Sequence, residues 1–150
     1  MKALIQRVSY ASVTVDNRLV ASIGLGMLIL LGIEKGDSDQ DAAFLATKCA
    51  NLRIFEDARG KMNHSVMDVH GDILVVSQFT LCADCMRGSR PSFDNAERSE
   101  QAQILYNQFV TMLEEKGLRV ASGVFGAFMQ ISLTNEGPVT LILESRRKLC

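Results

Sequence analysis

The chain has 150 residues, enough for one domain of ordinary size with its own core. Hydrophobic residues make up 47% of it, which excludes a disordered chain. The formal net charge of −1 excludes a protein that coats nucleic acid non-specifically, because Lys and Arg neutralising phosphates supply most of that affinity.

Met1 to Ser9 carries Lys2 and Arg7 but no long apolar stretch, so it does not read as a signal peptide. Leu4, Gln6 and Val8 alternate with Ile5 and Arg7, and Ser12-Val13-Thr14-Val15 continues the period of two, which predicts a strand. Asp16-Asn17 is a turn signal, with Arg18 to Ile23 as the returning partner. Gly24-Leu25-Gly26 breaks the chain, and the apolar run Met27 to Ile33 predicts a central strand buried on both faces. That run is too short to span a bilayer, so a cytoplasmic protein with no membrane partner is expected.

Ser38 or Asp39 can cap a following helix, whose core stripe is Leu45, Cys49 and Leu52. Asp57-Ala58-Arg59-Gly60 and His70-Gly71-Asp72 read as turns, and Ile73 to Leu81 as a further apolar strand. Cys82 to Asn95 is polar, with Gly and Pro, and predicts a loop. A second helix is expected from Ala96 to Lys116, with Ile104, Leu105, Phe109, Met112 and Leu113 on its core face and Gly117 ending it. Leu118 to Ala121, Met129 to Thr134 and Val139 to Leu143 predict three closing strands, and the tail Arg146-Arg147-Lys148 is basic and frayed. With only Pro91 and Pro138 and no repeat or linker, residues 1–150 read as one domain. About seven strands and two helices predict an α+β fold with a largely antiparallel or mixed sheet.

Chemistry is constrained by what is missing. The only histidines, His64 and His70, lie near predicted turns, so no Ser-His-Asp arrangement is evident. Gly24-Leu25-Gly26 lacks the third glycine of a dinucleotide fingerprint, and no phosphate-binding loop is present. Cys82-Ala83-Asp84-Cys85 has the spacing of a zinc or redox pair, but no second ligand pair accompanies it, and ordinary reduced thiols are expected. The four cysteines give no sign of a disulfide framework.

Two segments stand out. Ser77-Gln78-Phe79-Thr80-Leu81 is a polar cluster at the mouth of a buried strand, a common place for a site. Asn135-Glu136-Gly137-Pro138-Val139-Thr140 lies between two predicted strands. Its plain reading is a hairpin turn, but glycine also lets a ligand approach bare backbone, and proline fixes φ. From sequence alone its peptide bond reads as trans.

Together these segments, with Ala3-Leu4-Ile5-Gln6-Arg7-Val8 and Arg90-Pro91-Ser92-Phe93, resemble the signatures of the D-aminoacyl-tRNA deacylase family, the D-tyrosyl-tRNA(Tyr) deacylases. The resemblance covers essentially the whole chain. It implies a carboxylic ester hydrolase acting at the aminoacyl-tRNA 3′ acceptor end, without cofactor or metal, and a homodimer with the site at the subunit interface. It implies that Ser77, Gln78, Phe79 and Thr80 line the catalytic pocket and that the Phe79 N–H helps to position the ester. A cis Gly137-Pro138 from the other subunit would hold the α-carbon and reject L side chains, with Arg7 bracing it. Phe125 and Met129 would meet the terminal adenine. Separately, the near-neutral charge suits a protein that holds only the acceptor end, where Arg87 and Arg90 could meet phosphates or simply be solvated surface. The resemblance further implies cleavage of glycyl-tRNA, including glycine mischarged on tRNA(Ala), and water attack assisted by the substrate's 2′-hydroxyl, with Thr80 as nucleophile the older reading. Three alternatives are a sister deacylase acting on L-alanyl-tRNA, a DNA-binding replication accessory protein and a plain interaction module. The lack of basic character and the stop soon after the last strand weigh against the second.

Overall fold

The computed structural model describes residues 1–145; the predicted Arg146–Lys148 tail lies outside the described residues. A long first strand organises the sheet. Strand β1 (Lys2–Val15) turns through Asp16-Asn17, both at positive φ, into β2 (Arg18–Ile23), with Val15 paired to Arg18. Two left-handed residues in succession are what a two-residue hairpin needs to match the twist of its strands. Strand β3 (Gly26–Gly32) pairs antiparallel with the first half of β1 and parallel with β6 (Asp72–Ser77). Strand β7 (Val120–Ser122) extends the sheet parallel to β6, and β8 (Gln130–Glu144) covers the other edge of β1. The result is a mixed, nearly closed sheet in the order β2-β1-β3-β6-β7, with β8 on β1.

Alternation along these strands fills two cores. Met27, Ile29 and Leu31 of β3 and Ile73 and Val75 of β6 face one side; Leu28, Leu74 and Val76 face the other. The expectation that Met27–Ile33 is buried on both faces therefore holds. Helices α1 (Asp39–Asn51) and α2 (Ser99–Glu114) cover the first side with Leu45, Ala46, Cys49, Leu105, Phe109 and Leu113. Ser38 starts α1, where the Asp41 carboxylate accepts from the Ser38 N–H at 2.9 Å and from its Oγ at 3.0 Å. Inside the curl of the sheet, Val8, Ala11, Val13 and Ile23 join Leu28 and Leu74 in the smaller core.

Four expectations are corrected. The strand predicted from Ile73 to Leu81 ends at Ser77, and Phe79–Cys82 forms a 3₁₀ turn. Its alternating apolar residues mimic a strand, but the Gln78 N–H donates to the Leu31 carbonyl at 2.8 Å and the chain then curls over β3. The second helix starts at Ser99, not Ala96, because the Glu97 N–H bonds back to the Ile33 carbonyl at 3.0 Å, and Ile104 is exposed rather than in the core face. Two strands predicted at Met129–Thr134 and Val139–Leu143 are one strand, β8, interrupted by a bulge. The Asp57–Gly60 turn is also flanked by short strands β4 (Phe55–Glu56) and β5 (Met62–His64), which the sequence did not signal.

Candidate active site

The polar mouth of β6 is shaped by Gly32 beneath it. A Cβ there would lie 3.0 Å from Leu81 Cβ, 3.1 Å from Cys82 Sγ and 3.1 Å from the Gln78 carbonyl oxygen, so glycine lets the 3₁₀ turn settle onto β3. Beside the turn opens a cavity of about 460 Å³. Ser77, Gln78 and Phe79 form one wall, Phe125, Phe128 and Met129 another, and Leu31 and Ile33 the floor. Tyr106 backs this site: its hydroxyl donates to the Val75 carbonyl at 2.8 Å, and its ring packs at 5.7 Å against that of Phe125. Phe79 meets Phe93 edge-on at 5.1 Å, so the Arg90–Phe93 segment props the turn. Thr80 is exposed and outside the cavity wall, but the Gln78 side-chain amide donates to its Oγ1 at 2.5 Å. The Phe79 N–H opens the turn, where a 3₁₀ segment has no partner for it within itself.

The second segment is a bulge. Gln6 pairs with Thr140 and Val8 with Asn135, so two steps along β1 face five along β8. Gly137 and Pro138 stand exposed at its crest, joined by a cis peptide bond. Gly137 has φ 142°, and a Cβ on it would lie 3.0 Å from Arg7 Nη2 and 2.9 Å from Val139 Cγ2. Arg7 is buried beneath, donating from Nε to the Glu136 carbonyl at 2.8 Å and from Nη1 to the Ile54 carbonyl at 2.6 Å, with Glu56 at 3.8 Å from Nη2. The guanidinium fork thus ties the bulge to the segment after α1.

The chain resembles known proteins over nearly its whole length. The family model described as D-Tyr-tRNA(Tyr) deacylase matches residues 4–144. The chain belongs to that family. It is 53% identical over 147 residues to a D-aminoacyl-tRNA deacylase of Syntrophotalea carbinolica, covering 98% of this chain and 99% of that one. It is 56% identical over 145 residues to the one of Geobacter metallireducens, covering 97% and 96%. A solved structure titled c-Myc DNA Unwinding Element Binding Protein is 44% identical, with TM-score 0.92 over 98% of this chain and 100% of that one. A probable eukaryotic D-amino acid tRNA deacylase shares the fold, with TM-score 0.79 at 18% identity over 95% and 98%.

Within this deacylase-family chain, the predicted site residues fall into two groups. Ser77, Gln78, Phe79, Phe125 and Met129 share the cavity. Arg7 and Gly137 border a separate hollow with Leu25, Phe55, Glu56 and Glu136. Along β3, Leu31 beside Ser77 and Met27 beside Arg7 are four residues apart, or roughly 13 Å. Strand β8 reaches the cavity through Ile131 near its start, and neither Gly137 nor Pro138 lines it. One copy of the chain therefore does not bring the Gly-Pro crest to its own cavity.

Neither histidine reaches the cavity wall. His70 lies two residues before β6, at the end of that strand opposite Ser77, and β6 itself is roughly 16 Å long, while His64 pairs with Phe55. The two CxxC thiols are unlike each other. Cys82 is buried with its thiol 3.5 Å from the Ile33 carbonyl, and burial pushes its pKa up to about 11, whereas Cys85 is exposed. Arg87 and Arg90 are exposed in the loop after the turn, with no ion pair among the described residues. Sequence reasoning missed Glu97, Ser99 and Phe128 on the cavity rim. Glu97 was hidden by the helix drawn from Ala96, and Phe128 carried no signal beyond an aromatic in a loop.

Proposed function

We propose that the protein hydrolyses the ester of D-aminoacyl-tRNA, releasing the D-amino acid and free tRNA. The observation that carries this reading is the separation of two parts in one chain: a concave cavity at Ser77–Phe79 and a braced, exposed Gly137-Pro138 crest. A homodimer unites them when the crest of one subunit enters the cavity of the other. The Gly137 and Pro138 carbonyls then face the α-carbon of the aminoacyl group, accept from its amino group and leave no room for an L side chain. An achiral glycyl ester, including glycine mischarged on tRNA(Ala), passes the same filter. Phe125 and Met129 hold the terminal adenine.

The chemistry asks little of side chains. The 2′-hydroxyl of the terminal ribose activates the attacking water, and the Phe79 N–H orients the ester carbonyl. Thr80 serves as a hydrogen-bonding hydroxyl rather than a nucleophile: Gln78 donates to its oxygen, and among the described residues no histidine or carboxylate is hydrogen-bonded to it to take its proton. No metal takes part. The acceptor end is gripped locally, with Arg87 and Arg90 toward its phosphates, which suits a net charge of −1.

Hydrolysis of D-tyrosyl-tRNA, L-tyrosyl-tRNA and glycyl-tRNA by the purified protein in EDTA tests this. Loss of the D and glycyl esters with the L ester spared is expected. Cleavage of L-alanyl-tRNA in preference to D esters would transfer the protein to the sister activity. The likeness to the DNA unwinding element binding protein favours a second reading, duplex DNA binding. No ester cleavage together with salt-sensitive duplex binding would select it.

A further inference from the structure

The bulge needs two anchors, and only one of them is Arg7. Arg7 takes the Glu136 carbonyl on the N-terminal side of the crest. On the C-terminal side the Asn135 side chain does the equivalent work. Its Oδ1 accepts from the Val139 N–H at 2.7 Å, and its Nδ2 donates to the Val139 carbonyl at 3.2 Å and to Thr140 Oγ1 at 3.0 Å. The Val139 N–H can only donate, so the amide oxygen must face it and the amide nitrogen must face the carbonyl. Gln6 Nε2 donates to the same Thr140 Oγ1 at 3.4 Å, tying the clasp to β1.

The chemistry singles out asparagine. Holding both the N–H and the C=O of one residue takes an acceptor and a donor side by side on one planar carbon, which the side-chain amides supply. Glutamine is one methylene too long for this local loop, and an aspartate would turn a lone pair toward the Val139 carbonyl. Because Asn135 and Arg7 fix the two feet, Gly137 and Pro138 are the only bulge residues whose backbone no described side chain holds.

We propose that Asn135 is a positioning residue for chiral selection: its amide sets the direction of the Gly137-Pro138 carbonyls. The inference rests on the reading that this crest selects the D ester. Asn135→Ala frees one foot, so D-tyrosyl-tRNA is cleaved more slowly and L-tyrosyl-tRNA leaks through. The ratio of the two single-turnover rates falls by about tenfold or more. Thr140→Val is isosteric and β-branched, so it keeps the strand. It removes the shared Oγ1 anchor alone, and the ratio falls by about twofold to threefold.

A purely structural role would lower the Tm and slow both esters in parallel, leaving the ratio unchanged. An unchanged ratio in Thr140→Val, and in Asn135→Ala wherever that variant folds, overturns the proposal while the crest reading stands. A wild-type protein that cleaves the D and L esters equally overturns both.

Discussion

The Ser77–Leu81 and Asn135–Thr140 segments leave the same sheet in opposite ways. The first curls inward over Gly32 and makes a concave wall of side chains. The second swells outward and offers main chain, its own side chains and Arg7 turned to bracing. On the proposed reading, the difference teaches that a site can be divided by kind of atom as well as by place. Recognition by side chains needs shelter, whereas recognition by backbone needs rigidity.

Arg7 is where that contrast breaks most completely. Arg7→Ala leaves the Glu136 and Ile54 carbonyls without their donor in a buried setting. We expect a loss of about 3 kcal/mol in urea unfolding and about a hundredfold or more in kcat/KM for D-tyrosyl-tRNA. Arg7→Lys keeps the charge but not the fork, and should recover stability more than activity. On the concave side, Gly32→Ala presses a methyl against Leu81, Cys82 and the Gln78 carbonyl. It should cost about 1–2 kcal/mol and lower kcat/KM about tenfold, with cleavage still confined to the D ester.

Thr80→Val sharpens the reading of the pocket chemistry. A nucleophile's loss would abolish turnover, whereas loss of a hydrogen-bonding hydroxyl should keep kcat within about tenfold of wild type. The smallest effect is expected at the thiols. Cys85 should react with a maleimide at neutral pH while Cys49 and Cys82 do not, and labelling should leave the fold intact. Burial raises Cys49 to about 12 and Cys82 to about 11, from an ordinary value of 9.0. The native state therefore holds these protons more tightly than the unfolded chain. Their contribution is fully present below about pH 9 and is lost as pH rises through about 11 and 12, so Tm should fall across that alkaline window and not below it.

Much of this was legible in the residues. The continuous apolar run of β3 announced its burial on both faces, and Asp16-Asn17 its hairpin. What stayed hidden depended on partners. Gly137-Pro138 is written the same way in a turn and in a bulge; the uninterrupted β1 opposite, with Arg7 beneath the crest, decides it. Phe79–Leu81 has the alternation of a strand, and only the bond from Gln78 to Leu31 ends it. The contacts of Asn135 were invisible because its partner is the main chain of Val139, which carries no sequence signature.

A crest whose working surface is carbonyl oxygen has few parts that mutation can adjust. Every residue type carries the same carbonyl, so substitutions at Glu136 or Val139 leave the proposed chiral filter chemically unchanged, and changes at Gly137, Pro138 or the two anchors act on it by redirecting those carbonyls. The cavity, walled by Phe125, Phe128 and Met129, can drift one side chain at a time. On the proposed reading, preference among tRNAs and amino acids is free to evolve while handedness stays fixed.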